Sequence, residues 1–195
     1  MEKEKRKAAQ TGLTRPKGRS GFTLLELMVV VSTVAVMMMI GIPMVNSWLP
    51  DYHLRSAARE IGSAFQNARL RATSTSSEYR VAINTSVVPY SYQIEQGNQP
   101  SGSTAWTLDT GSYGELASDV LLGAVTPATT TGTFTLTRPS GAASTVTGNI
   151  IVFEPNSSTP VGSLFKIQLT NARNTRYQVS VSNTTGRVKV DNLWN

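Results

Sequence analysis

The sequence predicts an α+β protein in which a long N-terminal helix, membrane half plus amphipathic half, packs on an antiparallel β-sandwich-like domain. Three patterns predict it. Residues 27–45, LMVVVSTVAVMMMIGIPMV, run for 19 positions without a charge. From Tyr52 to about Thr73 the apolar residues recur at every third or fourth position, which is the stripe of an amphipathic helix. After Ser77 apolar and polar residues alternate in short segments separated by turn-forming stretches, the period of half-buried strands. A chain of 195 residues holds one such domain plus a membrane helix and is too short for two full domains.

The first element, residues 1–21, is a charged leader. The net charge of +6 is concentrated there: Lys3, Lys5, Arg6, Lys7, Arg15, Lys17 and Arg19 stand against Glu2 and Glu4. The rest of the chain carries eleven basic and ten acidic side chains, so basicity addresses the N-terminal segment and does not describe a cationic surface. An ordinary secretory signal has its apolar run before the cleavage site. Here the apolar run lies beyond the Gly21-Phe22-Thr23-Leu24-Leu25-Glu26 junction, which places a cut ahead of the run and leaves the run in the mature chain.

The second element, residues 22–45, is the membrane helix. Nineteen uncharged residues at about 1.5 Å each nearly cross a hydrocarbon core of about 30 Å. The dense basic stretch before it holds the N-terminus in the cytoplasm, with everything from about Trp48 onward outside. Trp48 sits where an interfacial aromatic anchor is expected. Glu26 lies at the edge of the apolar stretch, where a carboxylate costs a few kcal/mol unless it finds a partner or reaches the headgroups. Gly41 and Pro43 interrupt the run, and a proline removes one helix hydrogen bond, so a break or loosening is expected there.

The third element, residues 46–76, continues the spine as an amphipathic helix whose stripe is Leu54, Ala57, Ala58, Ile61, Ala64, Phe65, Ala68 and Ala72. Arg55, Arg59, Glu60, Arg69 and Arg71 fall off the stripe and read as a solvated face, and Pro50 marks a bend or a continuation. The fourth element, residues 77–195, is β-rich. Strands are expected at 79–84, 90–95, 119–123, 133–137, 149–154, 164–170, 177–182 and 186–190. Polar turn segments such as GNQPSGST, TPATTTG and PNSSTPVG lie between them.

The residues that carry enzymatic chemistry are sparse. There is no cysteine, and His53 is the single histidine, so neither a catalytic triad nor a thiolate or histidine metal cluster has material to build on. His53 reads as an interfacial or helix-surface residue. Glu78, Glu95, Asp109, Glu115, Asp119, Glu154 and Asp191 are scattered without ligand spacing and read as solvated surface. No catalytic residue, metal or cofactor is expected. Near the C-terminus Arg187 and Lys189 alternate with Val188 and Val190, so a strand there would put both cations on one face and both valines toward the core.

The GFTLLE junction in register with the apolar run resembles the cleavage motif of type IV prepilins and type II secretion pseudopilins. That resemblance implies cleavage by a prepilin peptidase between Gly21 and Phe22, methylation of the new Phe22 amine, and pairing of Glu26 with the amine of a neighbouring subunit's Phe22 during filament assembly. It also implies a helix that can stretch at Pro43. The segment IVFEPNSSTPVG, with Phe153, Pro155 and Gly162, and the closing Gly186-Arg187-Val188 are similar to the C-terminal domain of the GspH/FimT family of minor pseudopilins. The implied protein is a non-enzymatic subunit of a type II secretion pseudopilus tip, with a pilin-like fold. It would be held in the bacterial inner membrane by residues 22–45, its C-terminal domain in the periplasm, and then drawn into the filament. Its implied partners are other minor and major pilins or pseudopilins, the prepilin peptidase and the inner-membrane assembly platform. The alternative is a minor pilin of a type IV pilus. Some pilins of this kind bind DNA through basic residues at the places of Arg187 and Lys189, an idea against which the near-neutral domain charge counts.

Overall fold

The computed structural model describes residues 21–127, 131–160, 162 and 164–193; most of the expected leader lies outside them. One α-helix, α1 (Leu24–Thr75), is followed by ten strands: β1 (Tyr79–Asn84), β2 (Ser91–Gly97), β3 (Trp106–Leu108), β4 (Gly114–Glu115), β5 (Leu121–Thr126), β6 (Thr131–Thr137), β7 (Ala143–Phe153), β8 (Phe165–Thr170), β9 (Arg176–Val181) and β10 (Val188–Leu193). The chain divides after Pro43 into two compact units.

In the first unit the described residues are an exposed start at Gly21–Thr23 and the α1 residues up to Pro43. Every side chain of it is exposed, and the apolar window, of mean hydropathy 2.3, buries nothing against the chain itself. By length and composition this is the one helix among the described residues able to cross a membrane. The helical assignment runs without interruption through Gly41 and Pro43, where a break was expected. Pro43 lacks the N–H that would reach the carbonyl of Met39, so the helix there is one hydrogen bond short.

The second unit, Met44–Asn195, is built on the rest of α1. Its buried positions, Leu54, Ala57, Ala58, Ile61, Gly62, Ala64, Phe65, Ala68 and Ala72, are the expected stripe with Gly62 added. Five alanines and a glycine on that stripe let the strands approach the helix closely, and Val190 sits directly over Gly62. The helix also continues through Pro50 and ends where Ser76 takes a left-handed φ of 54°, which turns the chain out of the helical path.

The strands form two antiparallel sheets. The larger has the order β3-β2-β1-β7-β6 with β4 also on β2; the smaller has the order β10-β9-β8-β5. One core joins them through α1: Tyr79, Val81, Ile83, Ile94, Ile151 and Phe153 from the larger sheet meet Phe165, Ile167, Leu169, Val179 and Val181 from the smaller across the helix stripe. Phe65 is its centre, fully buried, with ring centroids 6.2 Å from Phe153 and 5.7 Å from Phe165. A second, small cluster of Ala82, Phe134 and Leu136 lies on the other face of the larger sheet, under the β6–β7 hairpin. Gln93 fastens that hairpin by imitating a strand. Its Nε2 donates to the Thr135 carbonyl at 2.7 Å and its Oε1 accepts the Thr137 N–H at 3.0 Å.

Several side chains expected at the surface are buried. Glu78 is 3% exposed and accepts the N–H groups of Gly102 and Ser103 at 2.9 and 2.7 Å. Glu95 is 4% exposed, ion-paired with Arg80 and bonded to Gln93, while the Arg80 guanidinium stacks 4.3 Å over Trp106. Arg71 pairs with Asp109. Each carboxylate closes a loop or edge against a fixed donor, and such pairing is what makes burial of a charge tolerable.

Candidate functional site

The N-terminal end of α1 is laid out by its first six described residues. Thr23 is the cap: its Oγ1 accepts the Glu26 N–H at 3.2 Å, and its carbonyl accepts the Leu27 N–H at 3.1 Å, the first bond of the helix. This is half of a capping box, and a threonine cap stabilises a helix start by about 1 kcal/mol. Thr-x-x-Glu ahead of an apolar run is a readable signal for it, and Thr23 is the site residue that the sequence expectations did not single out. Glu26 thereby falls at the third helical position, in the first turn, where the free N–H groups favour a negative charge. Among the described residues its carboxylate has no hydrogen-bond or ion-pair partner.

Phe22 stands just outside the cap and is 82% exposed. At Gly21 a Cβ would meet none of the described residues within 4 Å. The arrangement is an exposed junction, an exposed aromatic residue, a capped helix start with an unpartnered acid, and then an apolar cylinder with no internal cover. A helix that is apolar all round needs a covering from outside itself, whether lipid or other helices.

The basic pair near the C-terminus is placed differently from expectation. β10 begins at Val188, so Arg187 belongs to the preceding turn, closed by Ser182 N–H to Arg187 carbonyl at 3.0 Å and Gly186 N–H to Ser182 carbonyl at 2.8 Å. Gly186 has a φ of 59°, and a Cβ built there would run into the Ser157 carbonyl, so only glycine fits. The turns around Ser157 and Gly186 thus interlock, with Thr159 N–H reaching the Asn183 carbonyl at 2.8 Å. Lys189 lies on the strand, its Nζ 2.8 Å from Asp191 Oδ1. Val190, expected in the core, is 38% exposed because it lies at the sheet edge over Gly62.

His53 is not a free surface residue. Its Nδ1 lies 2.9 Å from Asp119 Oδ2, both side chains about one-third exposed. Two residues earlier on α1, Asp51 Oδ1 accepts Asn171 Nδ2 at 2.7 Å and Thr175 Oγ1 at 3.0 Å. These contacts fasten the start of the buried helix to the smaller sheet, and their purpose is structural. Among the described residues no group of three or more His, Cys, Asp or Glu side chains is placed to hold a metal ion. A groove of about 310 Å³ lies between Ser63, Asn67, Tyr92 and the Gly111–Tyr113 turn. Tyr92 donates its hydroxyl to Glu60 Oε1 at 3.0 Å, and burial, then the Glu60 charge and bond, push the phenol well up.

No family model matches the chain, and no curated protein matches it. Among solved structures it is similar to the type IV minor pilin FimU of Pseudomonas aeruginosa, at 14% identity over 72% of this chain and 90% of that one, with a TM-score of 0.46. A second crystal form of the same pilin gives 14%, 71%, 92% and 0.45. It is likewise similar to the minor pseudopilin EpsH from the type 2 secretion system of Vibrio cholerae, at 10% identity over 72% of this chain and 97% of that one, with a TM-score of 0.46.

Proposed function

We propose that this chain is a minor pseudopilin, a non-enzymatic subunit of a type II secretion pseudopilus tip that waits in the inner membrane and is then extracted into the filament. The observation that carries the reading is the N-terminal layout. A glycine whose Cβ would meet none of the described residues precedes a capped helix whose first turn holds an unpartnered acid and whose apolar surface is wholly uncovered. Cleavage between Gly21 and Phe22 by a prepilin peptidase would leave the Phe22 amine two residues ahead of the helix, exposed for methylation. In the membrane the apolar residues 27–45 are covered by lipid; in a filament they are covered by the same helices of neighbouring pilins. Glu26 supplies direction to that exchange. A carboxylate in an apolar setting costs on the order of 2–3 kcal/mol until it meets a cation, and the amine of an adjacent Phe22 is a cation at the matching height.

The same N-terminal chemistry would serve a minor pilin of a type IV pilus. A DNA-binding role within that alternative would run through Arg187 and Lys189, but Lys189 is already offset by Asp191 and Arg187 is set in a tight turn.

Two variants test the proposal in the intact system. A Cβ at Gly21 meets none of the described residues within 4 Å, so an uncut Gly21→Val precursor by intact-mass measurement reports on the peptidase. Glu26→Ala is expected to be cut and methylated like the native chain yet to be absent from sheared filaments. Processing of the Gly21→Val chain, or Glu26→Ala in filaments at the native level, would overturn the reading.

A further inference from the structure

We infer that the end of the second unit that carries Trp48 and Asp51 binds anionic phospholipid headgroups, a lipid contact additional to the apolar span. The inference rests on the reading of residues 27–45 as a membrane helix. Trp48 and Tyr52, four residues apart and therefore on one helix face, are each 62% exposed. Aromatic residues with a polar edge favour the membrane–water boundary. Arg55 follows one turn on, exposed and without an ion-pair partner among the described residues.

The β8–β9 turn and the first residue of β9 bring two more cations to this end. Asn171 and Thr175 bind Asp51 at 2.7 and 3.0 Å, which pins the turn beside the helix at Tyr52. Arg173 on that turn is about half exposed and only 3.8 Å from Asp51 Oδ2, a long contact that leaves most of its donors for another acceptor. Arg176 is held by the neutral Asn174 Oδ1 at 2.9 Å, which orients the guanidinium without offsetting its charge. Among the described residues, the carboxylates beside these cations are already engaged, Asp51 by these donors and Asp119 by His53. Leu121, at the end of the neighbouring strand row, is 43% exposed. Planar guanidinium forks match phosphate geometry, and exposed aromatic and aliphatic residues among them suit the headgroup–acyl boundary. The surface is charge-complementary to an anionic bilayer, and the sequence places it three residues beyond the span.

The chain has no cysteine, so Ser56→Cys gives a unique fluorophore site on an exposed position beside Arg55. The full-length protein is reconstituted into nanodiscs of phosphatidylcholine alone or of an equimolar mixture with phosphatidylglycerol, each with headgroup-labelled acceptor lipid, and energy transfer is measured. Transfer is expected to rise in the anionic discs and to fall back at about 1 M salt, where the screening length drops to about 3 Å. Three cations together favour the lipid-bound orientation on the order of a hundredfold, and the Arg55→Gln/Arg173→Gln/Arg176→Gln variant is expected to lose the dependence. Equal transfer in both discs, or a dependence that survives in the triple variant, overturns the inference. A protein that fails to enter even the neutral discs would instead sink the membrane-span reading on which it rests.

Discussion

Tyr92 carries a pH-dependent contribution that the geometry fixes in sign. Its hydroxyl is half-buried and donates to Glu60, and both burial and the carboxylate favour the neutral phenol, so its folded pKa lies above the unfolded value of about 10. Below that pH neither state loses the proton and the contribution is complete. Above it the unfolded chain ionises first, and stability falls as the pH rises. Urea denaturation of residues 44–195 is expected to show this decline setting in above about pH 9.5. Tyr92→Phe should cost about 1 kcal/mol at neutral pH and flatten that decline. A smaller slope remains from Tyr113, pushed up by burial and then by Glu115. At this scale the sequence was legible where a residue acts through its neighbours in the chain: Gly21, Phe22 and Glu26 sit at the helix start because Thr23 caps it. It misled on Glu78, Glu95 and Asp119, which read as solvated surface, since nothing in a hydropathy pattern says which carboxylate will find a donor far away in the chain.

Among the elements, α1 bears most of the packing. Phe65 fills the space where the two sheets converge, and Phe65→Ala is expected to cost about 3–5 kcal/mol in denaturant titration. Leu70, 67% exposed on the opposite face, should change stability by less than about 0.5 kcal/mol when cut to alanine. Each of the eight expected strands has a counterpart, most of them carrying β-branched or aromatic residues at alternate positions; the one expected at 119–123, which lacks that pattern, is shifted to Leu121–Thr126. β3 and β4 were not expected; with three and two residues they are too short to show a period. The first half of β7, Ala143–Thr147, is Ser- and Thr-rich and becomes a strand through its pairing with β6, a tertiary effect. The strand expected from Gly186 starts two residues later, because the left-handed glycine closes a turn there.

For the molecule as a whole, the contrast between the two units predicts a difference in solubility. Apolar residues of the first unit such as Leu24, Met39 and Ile40 are 71–80% exposed, whereas the second unit has its own closed core. A fragment of residues 44–195 is expected to sediment as a soluble species without detergent, and the chain from Gly21 onward to need detergent or lipid; a detergent-free, monomeric longer chain in the ultracentrifuge would contradict this. The α+β class and the long helix were legible from periodicity alone. The division into two sheets against one helix was expected as a β-sandwich-like domain, but the strand order within each sheet was not legible, because partner choice among strands depends on long-range register. That division has a mechanical consequence. Since the buried stripe of α1 packs in one core with both sheets, traction applied at Met44 is spread over several helical turns, and the Asp51 and His53 fastenings bear it first. On the proposed reading, a subunit drawn out by its N-terminal helix would bring its folded head along.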